Sequence, residues 1–222
     1  MPNPNGPYPG RQLFVGLTAD GKPAVVYLVT GRSVSSRERR ATRHENSIII
    51  GPLGNVAYDP LRHYTAVKWD DTSGVIAVTN GVQTEAIFET YRLLFNTGSA
   101  PTADYLEKIM EGAGAEPDSL HTPRIAGVIT SHQKAPIHFI SIKRHDASAQ
   151  VAQVKPLPGT LTGVSVYNGD MENPTPFSSF SSPPQLHFKG GDAKALAEYL
   201  FELSSATHMG DDIRVCAVGG IY

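Results

Sequence analysis

Cysteine is almost absent from this sequence, since its 222 residues include only Cys216. A single cysteine excludes an intramolecular disulfide framework and a cysteine-rich zinc site. Charged residues are also scarce, at 18% against roughly 25% in typical soluble domains, and the formal net charge is -2. This balance argues against nucleic-acid binding. No apolar run approaches the ~20 residues of a membrane span, and no signal peptide is recognisable. We therefore expect a cytoplasmic protein with neither a nucleic-acid nor a membrane partner.

Several catalytic signatures are missing as well. The sequence contains no phosphate-binding Gly-Lys-Ser/Thr motif and no Gly-x-Ser-x-Gly nucleophile elbow. The glycines of residues 112–114 follow a predicted helix rather than a strand, which excludes a dinucleotide-binding loop. The eight histidines are scattered, and no two of them have the i,i+4 spacing of a helical metal site. We therefore predict neither a bound metal nor a cofactor.

What the sequence does contain is a basic segment, residues 30–43, in a chain that is slightly acidic overall. This arginine segment holds five arginines and the hydroxyls of Ser33, Ser35 and Ser36, and apolar runs flank it on both sides. Arginine presents a planar fork of donors that matches phosphate or carboxylate oxygens. The segment therefore predicts an anion-binding loop between two strands. The alternative is a solvated surface loop, because most charge runs lie on the surface.

Local patterns predict hairpins and three helices. Residues 11–17 and 24–29 read as strands joined through Asp20-Gly21, and residues 64–69 and 75–79 as a second hairpin. The helices are predicted after an Asn80-x-x-Gln83 cap, from a Thr102 cap to Gly112, and after an Asp192 cap. Further strands are predicted at 47–50, 125–130, 137–143, 150–155, 161–167, 185–188 and 213–218.

Continuous apolar runs at 25–26, 48–50 and 75–78 indicate the architecture. Hairpin connections favour antiparallel sheets, whose strands usually alternate apolar and polar residues. Continuous runs therefore predict strands covered on both faces. Two antiparallel sheets with helices outside would cover them, so we predict an α+β fold, a four-layer αββα sandwich. The whole chain, 1–222, reads as one domain, and the proline- and glycine-rich residues 1–10 form an extended arm.

Five short motifs in order resemble the stand-alone IMP cyclohydrolases of archaea. They are Tyr8-Pro9-Gly10-Arg11, Thr30-Gly31-Arg32-Ser33 with Arg37, Val56-Ala57-Tyr58, Thr79-Asn80-Gly81 with Thr84, and residues 120–126 around Thr122-Pro123-Arg124. The resemblance covers residues 8–130 and is loose over the last ninety; His121 stands where the family has asparagine. It implies a fold like that of the N-terminal nucleophile hydrolases, without their nucleophile. The implied reaction closes 5-formamidoimidazole-4-carboxamide ribotide to IMP with loss of water.

That reaction suggests roles for the motif residues. Tyr58 would act as donor or acid, Arg124 would polarise an oxygen, and Glu116 would act as base. Their alternatives are a core tyrosine, a surface arginine and an exposed loop glutamate. The predicted substrate-binding residues are Arg32, Ser33, Ser36, Arg37, Asn80, Gly81, Thr84 and Thr122.

The predicted partner is a purine ribonucleotide, and the prolines of residues 1–7 suggest a possible homo-oligomer. Two other functions stay open for this sequence. One is a nucleotide-binding protein of the same fold that has lost cyclohydrolase activity, and the other is an amidohydrolase acting on a related ribotide.

Overall fold

The computed structural model describes residues 8–55, 57–133 and 135–222. The fold is α+β, with largely antiparallel sheets and four helices over those residues. In chain order the elements are β1 (Gln12–Leu17), β2 (Pro23–Thr30), α1 (Val34–Arg37), β3 (Arg39–His44), β4 (Ser47–Pro52), β5 (Tyr64–Asp70), β6 (Val75–Thr79), α2 (Thr84–Asn96), α3 (Ala103–Ala113), β7 (Arg124–His132), β8 (Ala135–Lys143), β9 (Gln150–Val154), β10 (Thr160–Ser165), β11 (Tyr167–Gly169), β12 (Pro174–Pro176), β13 (Gln185–His187), α4 (Ala193–Leu203), β14 (Thr207–His208), β15 (Asp211–Asp212) and β16 (Arg214–Ile221).

Two large sheets organise the chain. One has the order β13-β10-β1-β2-β16, and the other runs from β3 to β9 in sequence order. The hairpin predicted through Asp20-Gly21 is confirmed, since β1 and β2 are antiparallel with Phe14 opposite Val26. The hairpin of β5 and β6 is confirmed in the same way. Two small hairpins, β11–β12 and β14–β15, stand apart from both sheets and were not predicted.

The continuous apolar strands are buried on both faces, as the sequence indicated. In β2, residues 25, 27 and 29 lie in an apolar cluster to which both sheets contribute, and residues 24, 26 and 28 pack against α4. In β6, residues 76 and 78 join that shared cluster, whereas residues 75 and 77 pack with α2 and α3. A strand with apolar neighbours on both sides has no polar face to alternate, which explains the runs.

The run at 48–50 is an exception, and the prediction that it is covered on both faces is wrong. Ile50 is fully buried, but Ile48 and Ile49 are only half-buried. These residues lie in β4, next to the edge strand β3, whereas α2 contacts β5, β6 and β7, and α3 contacts β8 and β9. The outer face of β4 therefore lies beyond the helices.

Two local predictions need correction. The second half of the arginine segment is not loop but strand β3, where Ala41 pairs with Ile50 of β4. Asn80 does not cap α2, which begins at Thr84; its side chain bonds the start of β7 instead. Residues 168–184 bury Met171 and Phe177 in the shared cluster.

The start of the chain is only partly described. Residues 1–7 of the predicted arm lie outside the described residues, and Tyr8 is buried against the ring of Tyr167 at 5.8 Å between centroids. Gly10 has φ 64°, a left-handed conformation that glycine adopts without steric cost. None of the helices in the described segments is long and apolar enough to cross a membrane.

Candidate active site

An open cavity of about 760 Å³ lies beside the start of β1 and the end of β2. Most of its wall comes from chain segments that connect regular elements, where polar side chains need not serve a sheet or helix. The contributing segments fall within residues 8–11, 30–39, 59–62, 116–122, 167–172 and 208–209. The cavity volume is in the range of small-molecule sites.

Two arginines on one side of the cavity carry charge that no carboxylate neutralises among the described residues. Arg32 donates to the backbone carbonyl of Met171 at 2.8 Å, and its guanidinium lies 5.1 Å from the ring centroid of Tyr8. Arg39 donates to the carbonyls of Ser36 at 2.7 Å and Thr30 at 3.2 Å. Carbonyl partners orient these guanidiniums and leave their positive charge available to an anion.

Serines complete this side of the cavity. Ser33 caps α1, and Ser33 and Ser36 bond each other's backbone N–H groups at 3.2 and 3.1 Å. The Ser36 hydroxyl donates to the Ser33 carbonyl at 2.8 Å, which uses its proton. A Cβ at Gly31 would lie 2.4 Å from the Ser36 hydroxyl oxygen, so a side chain there would displace the serines. The hydroxyls of Ser33 and Ser35 lie 3.3 Å apart, so one of them donates to the other and one proton of the pair remains for a ligand.

Arg37, predicted to bind substrate, does not line the cavity. It forms an ion pair with Asp211 at 2.6 Å and donates to the Arg32 carbonyl at 2.7 Å. These contacts connect the arginine segment to the β14–β15 hairpin, whose turn places His208 and Met209 on the cavity wall. In the described structure Arg37 therefore holds the wall together, and Arg39 rather than Arg37 lines the cavity.

Glu116 lies on the cavity wall and pairs with Arg11. Two N···O distances of 2.9 Å join the carboxylate to the guanidinium, and the side chains are 3% and 11% exposed. Burial raises the pKa of Glu116 above its usual range, and the charge of Arg11 opposes that shift. The alternative of an exposed loop glutamate is therefore wrong. A carboxylate has about four lone-pair positions, so Glu116 can still accept from a ligand beside Arg11.

Arg124 is buried at the start of β7, and the alternative of a surface arginine is wrong. It is 5% exposed and donates to the Gln83 side chain at 3.2 Å, whereas its Nε has no hydrogen-bond partner among the described residues. Burial lowers its pKa. A Cβ at Gly81 would lie 2.2 Å from its Nη1, so the guanidinium occupies space that only glycine leaves open. Arg124 itself does not line the cavity.

Asn80 and Thr84 are buried and act behind the cavity. The Asn80 amide oxygen accepts from the Ile125 N–H at 2.8 Å and from Gln83 at 3.1 Å, and its amide nitrogen donates to the Pro123 carbonyl at 2.9 Å. Thr84 bonds Thr79 at 2.6 Å beneath Gly81. These groups position the chain around Arg124 and do not line the cavity.

Tyr58 is 72% exposed, so the alternative of a core tyrosine is wrong. Its ring lies against His63 at 5.7 Å between centroids. The same segment contributes Asp59 and Arg62, an ion pair of 2.7 Å, to the cavity wall. Tyr58 itself does not line the cavity, and its catalytic role stays a prediction.

Thr122 is a predicted substrate-binding residue that lines the cavity. Its hydroxyl donates to the carboxylate of Asp118 at 2.6 Å and lies 2.8 Å from the hydroxyl of Tyr167. All three residues line the cavity. Sequence reasoning assigned no role to Asp118, Tyr167, Arg11 or Arg39. Arg11 had a signal because it belongs to the Tyr-Pro-Gly-Arg motif, and Arg39 because it lies in the arginine segment. Asp118 and Tyr167 stand in no motif.

An open site of this size, with unneutralised guanidiniums on one side and a buried carboxylate on its wall, suits a small anionic ligand. In the described ranges, no three His, Cys, Asp or Glu side chains come together to hold a metal ion. Residues 8–221 match the model of the family described as IMP cyclohydrolase-like protein, and the chain belongs to that family.

Similar proteins carry the same description. The chain is 28% identical over 203 residues to the IMP cyclohydrolase of Methanocaldococcus jannaschii, covering 90% of this chain and 89% of the relative. It is 29% identical over 198 residues to that of Methanothrix thermoacetophila, covering 88% and 86%. It is 26% identical over 225 residues to that of Haloquadratum walsbyi, covering 97% and 98%. The resemblance read from the five motifs is confirmed, and these matches extend into the last third of the chain.

Proposed function

We propose that the protein is an IMP cyclohydrolase that closes 5-formamidoimidazole-4-carboxamide ribotide to IMP with loss of one water. The observation that carries this proposal is the cavity itself, in a chain that matches the family over residues 8–221. Two guanidiniums without carboxylate partners face a phosphate, and buried polar groups face the ring that reacts. The family membership and the names of the relatives favour this function over a binding protein without activity.

The phosphate end of the site is assigned to Arg32 and Arg39, with hydroxyls from Ser33 and Ser35. Their arrangement supports this assignment, because carbonyl contacts fix both guanidiniums while leaving their charge unneutralised. Ser36 supports the loop through its bond to Ser33. Arg37 contributes indirectly, through the chain segment that carries Arg32.

The chemical difficulty of the reaction is that a carboxamide nitrogen is a poor nucleophile. Orientation against the formyl carbon alone can supply up to ~7–11 kcal/mol, and one donor to the developing oxyanion about 3–4 kcal/mol. We assign Arg124 to polarise the oxygen, because its Nε is buried without a partner among the described residues. Arg124 lies behind the cavity wall, so this role requires its guanidinium to turn towards a bound substrate. We assign Glu116 to accept a proton on a lone pair that Arg11 leaves free. Asn80, Gly81 and Thr84 hold Arg124 in place, and Thr122 supports the cavity wall beside the reacting ring of the substrate.

Tyr58 keeps its proposed role as donor to the oxyanion or to the departing water. Its support is the motif it shares with the family, and its position on the segment that carries Asp59 and Arg62 to the cavity. In the described structure its ring is outside the cavity wall. The role therefore requires the Tyr58 side chain to turn inward on a bound substrate.

We also propose the finer features of the architecture and setting. The shared cluster and the two helix-covered clusters support a four-layer αββα sandwich, folded as a single domain over residues 1–222. A free ribonucleotide substrate supports a cytoplasmic enzyme that binds no nucleic acid. A homo-oligomer built through residues 1–7 is the partner arrangement that we propose for the arm.

The test incubates purified protein with the formamido ribotide and follows IMP by its absorbance, with and without excess chelator. Arg32→Ala and Arg39→Ala are matched variants, and Arg40→Ala controls for charge because Arg40 is exposed in β3. We expect the parent protein to form IMP with and without chelator. In Arg32→Ala and Arg39→Ala the activity should fall mainly because KM rises. Binding of IMP without turnover would instead select the inactive nucleotide-binding protein, and hydrolysis of a non-cyclising amide would select the amidohydrolase.

A further inference from the structure

A chain of three side chains runs along the cavity wall from Tyr167 through Thr122 to Asp118. The two hydroxyls are 2.8 Å apart, and the threonine hydroxyl is 2.6 Å from a carboxylate oxygen of Asp118. The other oxygen of that carboxylate accepts the Thr122 N–H at 2.8 Å. Thr122 therefore fixes both carboxylate oxygens, and the carboxylate in turn fixes the threonine hydroxyl.

The chemistry of these groups sets the direction of the hydrogen bonds. An ionised carboxylate only accepts, so the single hydroxyl proton of Thr122 must point to Asp118. Thr122 then has no proton for Tyr167, and the Tyr167 hydroxyl must donate to Thr122. The Tyr167 oxygen has no second proton, so towards any further group it can only accept.

Tyr167 is positioned so that its hydroxyl oxygen can accept a proton from a group in the cavity. Tyr167 lines the cavity, is 6% exposed, and stacks on the ring of Tyr8 with an interplanar angle of 24°. A ring held in this way presents its oxygen in one orientation. Burial raises the pKa of Tyr167, so the phenol stays protonated in the resting protein. It is therefore an acceptor that can take a proton only by passing its own proton on.

We infer that Tyr167, Thr122 and Asp118 form a proton relay that takes a proton from the carboxamide nitrogen of the substrate during ring closure. The inference rests on the proposed function, since it concerns the proton transfers of that reaction. Tyr167 is the catalytic residue of the relay because it touches the substrate. Thr122 and Asp118 act through it and are positioning residues that also hold the proton.

The two protons that leave with the water are accounted for in two steps. As the nitrogen–carbon bond forms, one carboxamide N–H proton moves to Tyr167, the phenol proton moves to Thr122, and the Thr122 proton moves to Asp118. Negative charge develops on the former formyl oxygen. That oxygen is two bonds from the nitrogen, so the same tyrosine reaches it and returns the proton held by Asp118. The formamido N–H supplies the second proton as the carbon–oxygen bond breaks and the carbon–nitrogen double bond forms, and one water leaves.

The role of Asp118 in the relay differs from that of Glu116. Both oxygens of Glu116 are held by Arg11 at 2.9 Å, and that contact stabilises its charge. Asp118 is half-buried and its carboxylate is bonded by Thr122 rather than by a cation. Glu116 is left for the second proton, that of the formamido N–H, whereas Asp118 accepts the carboxamide proton along the route through Tyr167 and Thr122.

Single-turnover rates of IMP formation test the relay. Tyr167→Phe and Thr122→Val each remove one hydroxyl, and Thr122→Ser is the matched control that restores it. We expect the first two to lower the rate on the order of a hundredfold with KM within about threefold, by analogy with loss of one transition-state contact. Thr122→Ser should stay within about threefold of the parent. A Tyr167→Phe rate within twofold of the parent, or a Thr122→Ser loss as large as that of Thr122→Val, overturns the relay.

Solvent isotope measurements distinguish proton transfer from a structural role. In mixtures of light and heavy water, concerted movement of several protons makes the parent's rate fall along a curve, and Tyr167→Phe should give a straight line. A straight line for the parent overturns the relay. Melting temperatures of all variants control for folding. If the parent forms no IMP at all, the proposed function and the relay fail together; if the parent is active and Tyr167→Phe is equally active, only the relay fails.

Discussion

Arg11 and Glu116 form a two-pronged ion pair across 105 positions of sequence, and both N···O distances are 2.9 Å. The two side chains are 11% and 3% exposed, so neither charge is well solvated. A buried pair of this kind adds little net stability over an apolar pair, but removing one partner strands the other charge. Both residues line the cavity, so the pair affects the stability of the fold and the structure of the cavity wall together.

The first prediction concerns this pair. Glu116→Leu should lower the free energy of unfolding by about 3–5 kcal/mol, because Arg11 is left buried without its partner. Arg11→Met combined with Glu116→Leu should recover most of that loss. Urea denaturation of the parent, both single variants and the double variant gives the coupling energy. A double variant no more stable than Glu116→Leu would show that the pair is not the source of the loss.

A second prediction separates the arginines. Arg32→Ala and Arg39→Ala should each raise KM roughly ten- to hundredfold, as expected for loss of a contact to a charged group worth about 1.5–3 kcal/mol. Arg37→Ala and Asp211→Asn should raise KM by about the same factor as each other, because both break the same ion pair away from the cavity. That factor should be smaller than for Arg32→Ala and Arg39→Ala. If Arg37→Ala raises KM much more than Asp211→Asn does, Arg37 contacts the phosphate itself. The nucleoside without phosphate is the reference substrate, because it cannot make the phosphate contact that the arginine variants are designed to remove.

A third prediction uses the space beside Arg124. In Gly81→Ala the new Cβ would meet Arg124 Nη1 at 2.2 Å, and the guanidinium must move. Because that atom is the end of a long side chain, the shift should change the melting temperature little. We expect kcat to fall on the order of a hundredfold if Arg124 donates to the oxyanion. Gly112→Ala is the control, because a Cβ there meets nothing within 4 Å. An unchanged kcat in Gly81→Ala would remove Arg124 from the chemistry.

A fourth prediction tests Tyr58. Tyr58→Phe should lower kcat and kcat/KM together by about a hundredfold and leave KM nearly unchanged, as expected for a contact made mainly in the transition state. The residue is 72% exposed, so the melting temperature should not change. A kcat within about twofold of the parent would exclude Tyr58 and leave the donor role to Arg124.

The fifth prediction is a pH dependence of stability that arises from His138. This ring is fully buried, neither nitrogen has a hydrogen-bond partner in the described part of the chain, and burial lowers its pKa from 6.5 to about 4. The unfolded chain binds this proton more tightly than the folded one. The stabilising effect of the neutral ring is therefore complete above pH ~6.5 and is lost as the pH falls towards 4.

His138→Leu makes that prediction measurable. Between pH 7 and 4.5 the parent should lose about 2–3 kcal/mol more of its unfolding free energy than the variant does, at 1.36 kcal/mol for each unit of pKa difference. Carboxylates elsewhere contribute equally to both proteins and cancel in the comparison. Equal pH slopes for the two proteins would contradict a buried neutral histidine.

The sequence predicted those parts of the fold whose signals are local. The hairpin through Asp20-Gly21 and the Asp192 cap, which accepts from the Ala195 N–H at 2.9 Å, both depend on neighbours in sequence. Strand β3 was missed because its arginines have no strand preference and its pairing with β4 decides its structure. Asn80 was assigned as a helix cap because its actual partner, the Ile125 N–H, lies 45 positions away.

The candidate site shows the same division. Arg124 was found as a candidate through the motif that contains it, and Glu116 because it stands a few residues before that motif. Nothing local shows that Arg11 pairs with Glu116. Choosing between Arg37 and Arg39 requires knowing that Arg37 meets Asp211, 174 positions away. Tyr167 gave no signal, because its importance comes from the hydroxyl of Thr122 beside it.

These long sequence separations have a consequence for how the protein is made. The carbonyl that orients Arg32 belongs to Met171, 139 positions later, and the carboxylate that holds Arg37 is later still. A nascent chain on the ribosome therefore carries its arginine segment for most of synthesis without the partners that shape it. Contacts of such range form slowly. The cavity wall is complete only after the β14–β15 hairpin, which places His208 on that wall, has been synthesised.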